Sequence, residues 1–193
     1  MPLFRRPRRV IGVETPPPTT RPRDVPASAR LPLERGEQLL ASAQEDAGGH
    51  WLLLTSWRLV ERTDDGRTLL ERPWHEVDAG VWDPDTWVLG VSFVDGLDGR
   101  QWGLRLRTGP GMVPEVLRDR TTASVVLVRA VDLGRPRTAR VTIRTDLRTR
   151  DLVEQVILGR GARPDDRELS AQVHLARQEL RGQVGLDPAS TTD

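Results

Sequence analysis

The side chains of this 193-residue chain that are able to do chemistry fall into three sets: three aspartate pairs, three histidines and 29 basic residues. The pairs are Asp64/Asp65, Asp83/Asp85 and Asp95/Asp98. Two carboxylates work as acid and base only where their surroundings push their proton affinities apart. Each pair lies in a Gly- or Pro-containing run that reads as a turn, where aspartate is favoured because its side chain bonds nearby backbone. A structural role is therefore expected. Asp95-Gly-Leu-Asp98-Gly99 has the outline of a calcium loop but lacks the remaining ligands and the terminal glutamate.

His50, His75 and His174 are far apart and fall on different elements, so no imidazole metal site is expected. With no cysteine, disulfides, thiolate catalysis and thiolate metal sites are excluded together. His75, beside Glu76 and near Asp78, is the one arrangement with the outline of a base and its orienting carboxylate. Strand alternation sets it opposite Trp74, which predicts a solvent-facing histidine. There is no Gly-x-Ser-x-Gly, and Gly159-Arg-Gly161 has neither the Lys-Ser/Thr nor the parallel strand of a phosphate loop. The expectation is a protein that is not an enzyme and takes no cofactor.

The net charge of +1 conceals alternation along the chain. Residues 1–30 carry seven arginines against two acids, 31–100 six against 14, 101–150 eleven against four, and 151–193 five against eight. All basic residues are arginine, which speaks of codon usage before chemistry. The blocks read as solvated faces of opposite sign or as a docking surface. The basic 101–150 block is a candidate for anionic lipid, together with the Arg-rich residues 1–13. For nucleic acid it lacks the exposed aromatics that stack on bases, since Trp102 is expected to face inward.

These residues need elements to hold them. Residues 1–30, with seven prolines, read as a disordered tail. From Leu31 to residue 133 the pattern is one of short strands at hairpin spacing, ending near Gln44 and then covering Trp51–Thr55, Trp57–Arg62, Leu69–Trp74, Val77–Trp82, Trp87–Val94 and Gln101–Arg107. In the last two, Leu89, Val91, Phe93, Trp102, Leu104 and Leu106 are predicted to face inward. Val113–Val131 has helical spacing, although its Ser124–Val131 half is valine-rich and of strand propensity. Residues 134–186 add a hairpin, Ala139–Thr145 with Leu152–Leu158, then a helix opened by Asp165. In that hairpin Val141 and Ile143 are expected inside, Thr142 and Arg144 outside. Residues 187–193 read as a second loose tail.

Leu33-x-x-Gly36-Glu37-x-x-Leu40, then Thr55-x-x-Arg58-Leu59, then Pro73-Trp74-x-x-Val77 resemble the opening of bacterial pleckstrin-homology-like, GRAM-related domains. The resemblance covers residues 33 to about 131. It implies a mainly β, α+β fold: a seven-stranded antiparallel barrel capped by a helix, here with an added C-terminal hairpin and helix. It implies lipid or protein binding, although the loop Glu45–Gly49 is acidic where phosphoinositide-gripping relatives are basic. Read from the residues alone, Thr55 satisfies backbone groups of a turn, and Arg58 is placed to stack on Trp57 or Trp74.

The six tryptophans lie between residues 51 and 102. Trp82 and Trp87, flanking Asp83-Pro84-Asp85, and the outward Arg105 and Arg107 form the candidate partner surface. The expected function is a cytoplasmic interaction module, an adaptor or scaffold binding an unknown protein or itself. Peripheral membrane attachment and nucleic-acid binding are the alternatives.

Overall fold

The computed structural model describes residues 24–96 and 99–186. The expectations for residues 1–23, Asp98 and 187–193 lie outside them. Strands β1 (Leu39–Gln44), β2 (Trp51–Thr55), β3 (Arg58–Arg62) and β4 (Thr68–Pro73) form an antiparallel meander in sequence order. The β1–β2 turn is built by Glu45, whose carboxylate accepts from the backbone of Ala47 and Gly48, with Gly49 at φ 70°. Between β2 and β3 the chain reverses through Ser56 and Trp57. Strands β5 (Val77–Asp83), β6 (Val88–Phe93) and β7 (Arg100–Gly103) form a second meander.

The expected single closed barrel does not form: these seven strands make two separate sheets, of four and three strands. Two local features explain the breaks. Pro73 has no N–H to continue a ladder, and a single 3-10 turn, Trp74–Glu76, parts β4 from β5. At the other end, β7 stops after four residues. There the backbone of Gln44 donates to Thr108 Oγ1 (2.7 Å) and that of Asp46 to the Gly103 carbonyl (2.9 Å), so turn and side-chain bonds stand where a closing ladder would run. Leaving the strand at Gly103 also turns Leu106, expected inside, out to 76% exposure, while Trp102 and Leu104 are buried as their alternation required.

Helix α1 (Val113–Ser124) packs Val113 and Leu117 into the core shared by both sheets. It ends at Ser124, and the valine-rich half becomes strand β8 (Val125–Asp132). β-branched side chains lose rotamer freedom in a helix and fit a pleated surface, so propensity wins there. Strands β9 (Thr138–Thr145) and β10 (Leu152–Leu158) join β8 in a third sheet of order β10-β9-β8. Helix α2 (Arg167–Val184) covers one face of it through Leu169, Ala176 and Leu180, which meet Val131, Val141 and Ile143. Its N-cap is Asp166, one residue beyond expectation, accepting from the backbone of Glu168 and Leu169, and Gly185 at φ 69° ends it in a left-handed cap.

A third, smaller core lies on the outer side of the first sheet. Val25 and Ala29, which the sequence assigned to the tail, are buried there against Trp51, Leu53 and Val60. That second covering explains why all five residues of β2 are buried.

Candidate interaction surface

The motif residues converge on one internal lock. Gly36, at φ +89°, turns the chain so that Glu37 enters beneath β3, where its side chain is fully buried. Arg58 donates to it through two nitrogens, both at 2.9 Å, and also reaches Glu71. Burial alone would push the Glu37 carboxyl up, but hydrogen bonds from Arg58, Thr55 and the Glu34 backbone hold it below the usual glutamate value. Thr55 Oγ1 accepts from the backbone of Trp57 and Arg58, and the Thr55 carbonyl accepts from the indole of buried Trp74 at 2.9 Å. Leu59 packs into the main core, and Pro73 opposes Arg58 on β4. The expected stacking of Arg58 on tryptophan gives way to its two carboxylates, a stronger pairing for a half-buried guanidinium. Arg72 is the guanidinium that stands over an aromatic ring, that of Phe93, 5.0 Å from its centre.

The four residues expected to meet a partner lie at one end of the second sheet, largely tied to their own chain. Trp82 and Trp87 meet edge to face, 6.2 Å between ring centres, and the Trp87 carbonyl accepts from the Leu104 backbone. Beyond Leu104, the Asp46 carboxylate accepts the backbone N–H groups of Arg105, Leu106 and Arg107, and its own carbonyl accepts from Arg107 Nε. The acidic first loop thus clasps the basic one. Trp82 lines a depression of about 260 Å³ with Gly80, Leu89 and Leu117.

The chemistry-bearing residues are likewise engaged structurally. Asp64 accepts from the Trp51 indole at 2.7 Å, Asp83 from the backbone of Asp85 and Thr86, and Asp95 from Arg72. His50 pairs with Glu61, and His174 with Gln178. His75 does not face solvent as expected: it sits on the 3-10 turn, 13% exposed, its Nδ1 3.9 Å from Asp146. Among the described residues no three His, Cys, Asp or Glu groups are placed to hold a metal.

Sequence reasoning missed the face of the third sheet that meets the rest of the molecule. Thr142 and Arg144, assigned to solvent, are 1% and 3% exposed. Strand β9 is central, with α2 on one face and β5 with the 3-10 turn on the other. Arg144 Nη1 donates to the Val77 carbonyl (2.7 Å) and Ser124 Oγ (3.2 Å), and Nη2 to the Asp78 carbonyl (3.3 Å). Arg140 pairs with the Asp78 carboxylate, and Gln155 donates to the His75 carbonyl at 2.9 Å. Burial lowers the Arg144 pKa, against the pull of Asp78. The seam is polar and incompletely matched: Arg140 Nε, Thr142 Oγ1, Arg144 Nε and Gln155 Oε1 are buried without a partner.

On its outer side the same sheet offers unpaired edges. Among the described residues β8 and β10 each pair only with β9. Val126 and Val128 on β8, and Leu152, Val156 and Leu158 on β10, are each 37–49% exposed. Helix α2 lies over β8 and β9, leaving Val156 and Leu158 as the floor of an open groove of about 460 Å³ walled by Leu169, Val173 and Arg177. The Val125–Val128 run was legible as apolar, but its place at an edge was not. Comparison with protein families, with curated proteins and with solved structures finds no match to this chain.

Proposed function

We propose that the chain is a non-enzymatic interaction module, an adaptor or scaffold whose docking element is the three-stranded sheet β8–β9–β10. The observation that carries this reading is the pair of unpaired edges lined by five half-exposed aliphatic side chains. An open edge presents a row of backbone donors and acceptors to any strand that can align with it, and natural sheets normally guard such edges. Attachment to anionic lipid or to nucleic acid through the 101–150 arginines has less support. Among those arginines, Arg118, Arg129, Arg137, Arg140, Arg144 and Arg148 each stand within 4.0 Å of a carboxylate of the same chain.

The test is a photo-crosslinking amino acid placed singly at Val128, at Val156 and, as control, at the exposed loop residue Ala47, in the full chain expressed in its own cells. Discrete crosslinks from 128 or 156 and none from 47 are the expected result. Crosslinks from none of the three, or equally from all, refute the reading.

A further inference from the structure

One of the two edges specifies its own partner. We propose that the chain forms a two-fold dimer in which β8 pairs antiparallel with β8 of a second copy, centred on Val128. This rests on the reading of the third sheet as the docking element and names the occupant of one edge.

The register follows by elimination. Two copies of a strand related by a two-fold oppose residues whose numbers sum to a constant, and side chains share a face only if that sum is even. Centring on Arg129 sets Arg129 against itself, a like-charge pair that destabilises a sheet. Centring on Ala130 sets Val128 against Asp132, and centring on Leu127 runs Ala130, Val131 and Asp132 past the strand start onto α1, where centring on Val128 runs only Asp132 past it. Centring on Val128 opposes Val126 with Ala130 and Leu127 with the aliphatic stem of Arg129; Val125 lies beyond a bulge in β8 and stays out of the pairing. Val126 and Val128, 42% and 49% exposed, then form one apolar patch with their mates. No proline interrupts this eight-residue edge; its guards are a bulge between Val125 and Leu127, at one end, and the charges of Asp132 and of Arg129, the latter paired with Glu179 of its own chain.

Helix α2 supplies an independent check. It packs across β8 and β9, so its axis lies about midway between them. With strands ~4.8 Å apart, pairing through β8 sets the two α2 axes ~9.6 Å apart, within the 8–10 Å at which helices pack. The flank of α2 that turns toward the mate is the one where Glu179 pairs with Arg129 of β8. One turn before Glu179 on that flank is Leu175, apolar and 56% exposed. Pairing through β10 instead sets the helices ~19 Å apart, with Val156 and Leu158 uncovered between them. The β8 edge closes; the β10 edge does not.

The experiment is sedimentation of the full chain together with single-cysteine crosslinking, for which a cysteine-free chain is suited. The expected particle has twice the 21.6 kDa chain mass. Directly opposed residues in an antiparallel pair have Cα atoms ~4.5–5.5 Å apart, inside the ~4.4–6.8 Å span of a disulfide. Val128→Cys is therefore expected to yield a covalent dimer under mild oxidation. Val126→Cys mixed with Ala130→Cys is expected to crosslink, and Val126→Cys alone is not. Val128→Glu, which sets two glutamates face to face at a half-exposed site, is expected to weaken the dimer at least ~10-fold with an unchanged circular dichroism spectrum. A monomer at about 100 μM, a weak-association concentration by protein standards, overturns the dimer. A dimer that crosslinks through Val156→Cys and not Val128→Cys overturns the choice of edge. Either result leaves the interaction-module reading to be judged by its own crosslinks to other proteins.

Discussion

Replacing Arg144 by alanine is expected to uncouple the third sheet from the rest of the molecule before either part unfolds. The two larger apolar cores are separate: one is shared by the first two sheets and α1, the other lies between the third sheet and α2. Between them run the polar seam and the tip of the β9–β10 hairpin, where Leu147 tucks into the first core. Arg144 supplies three hydrogen bonds across that seam, to Val77, Asp78 and Ser124. Breaking a buried charged contact by removing one partner costs about 3–5 kcal/mol. Asp78 keeps Arg140 and is 15% exposed, which sets the expected cost at the lower end, about 3 kcal/mol. At about 2–4 °C per kcal/mol for a chain of this size, the transition should fall by about 6–12 °C.

The tryptophans make the uncoupling measurable. All six lie between residues 51 and 102, in the first two sheets and their connections, whereas far-ultraviolet circular dichroism also reports the third sheet and α2. In urea the wild-type chain should show coincident transitions by the two signals. In Arg144→Ala the circular dichroism transition should begin at lower urea than the fluorescence transition. If both signals still coincide and the midpoint shift corresponds to under about 1 kcal/mol, Arg144 is not the keystone of the seam, because a cost so small is that of an exposed ion pair.

Three further outcomes follow from the same contacts. Glu37→Gln keeps the shape of the lock but leaves Arg58 with only the more exposed Glu71; chemical denaturation should register a loss of about 2–3 kcal/mol. Gly80→Ala would place a Cβ 2.4 Å from Leu117 Cδ2, so calorimetry should show a destabilisation of about 1 kcal/mol where an exposed strand glycine would ordinarily gain from alanine. In acid, Glu37, Glu154 and Asp166 all have carboxyls held below their ordinary values, the last to about 2 through its hydrogen bond from Arg137. Depressed carboxylates contribute stability that is complete above their unfolded values, near 4.5 for glutamate. That contribution is lost as pH falls through the folded values. An acid titration should therefore show stability declining from about pH 4.5 toward 2, with Asp166→Asn reducing the slope at the low end.

Alternation and turn chemistry made the hairpins legible. Leu89, Val91 and Phe93 face the core as their spacing required, and the α2 stripe Leu169, Ala176 and Leu180 does too. These patterns are local, written by a period of two or 3.6. Barrel closure was not legible, because it depended on whether β1 and β7 pair across the whole first half of the chain. One four-residue strand and the side chains of Asp46 and Thr108 decided that. At Ser124 the helical spacing of apolar residues competed with valine propensity, and the spacing was the weaker signal.

The misplacement of Arg144 has a more general cause. In Thr138–Thr145 the apolar and polar residues alternate as they would on a strand with one wet face, and a charged residue is rarely buried unless it is paired. Whether the second face is wet depends on what the fold sets against it. Here that is β5 and the 3-10 turn, which expose the carbonyls of Val77 and Asp78, 67 and 66 residues before Arg144. Those carbonyls, the outward backbone of a strand edge, are what a buried guanidinium with several donors can satisfy. The same reasoning locates the candidate surface. Of the two faces and two edges of the third sheet, α2 takes one face and the polar seam the other, so the edges are what remains for a partner. The valines of β8 stand at the edge where a second α2 also finds its packing distance.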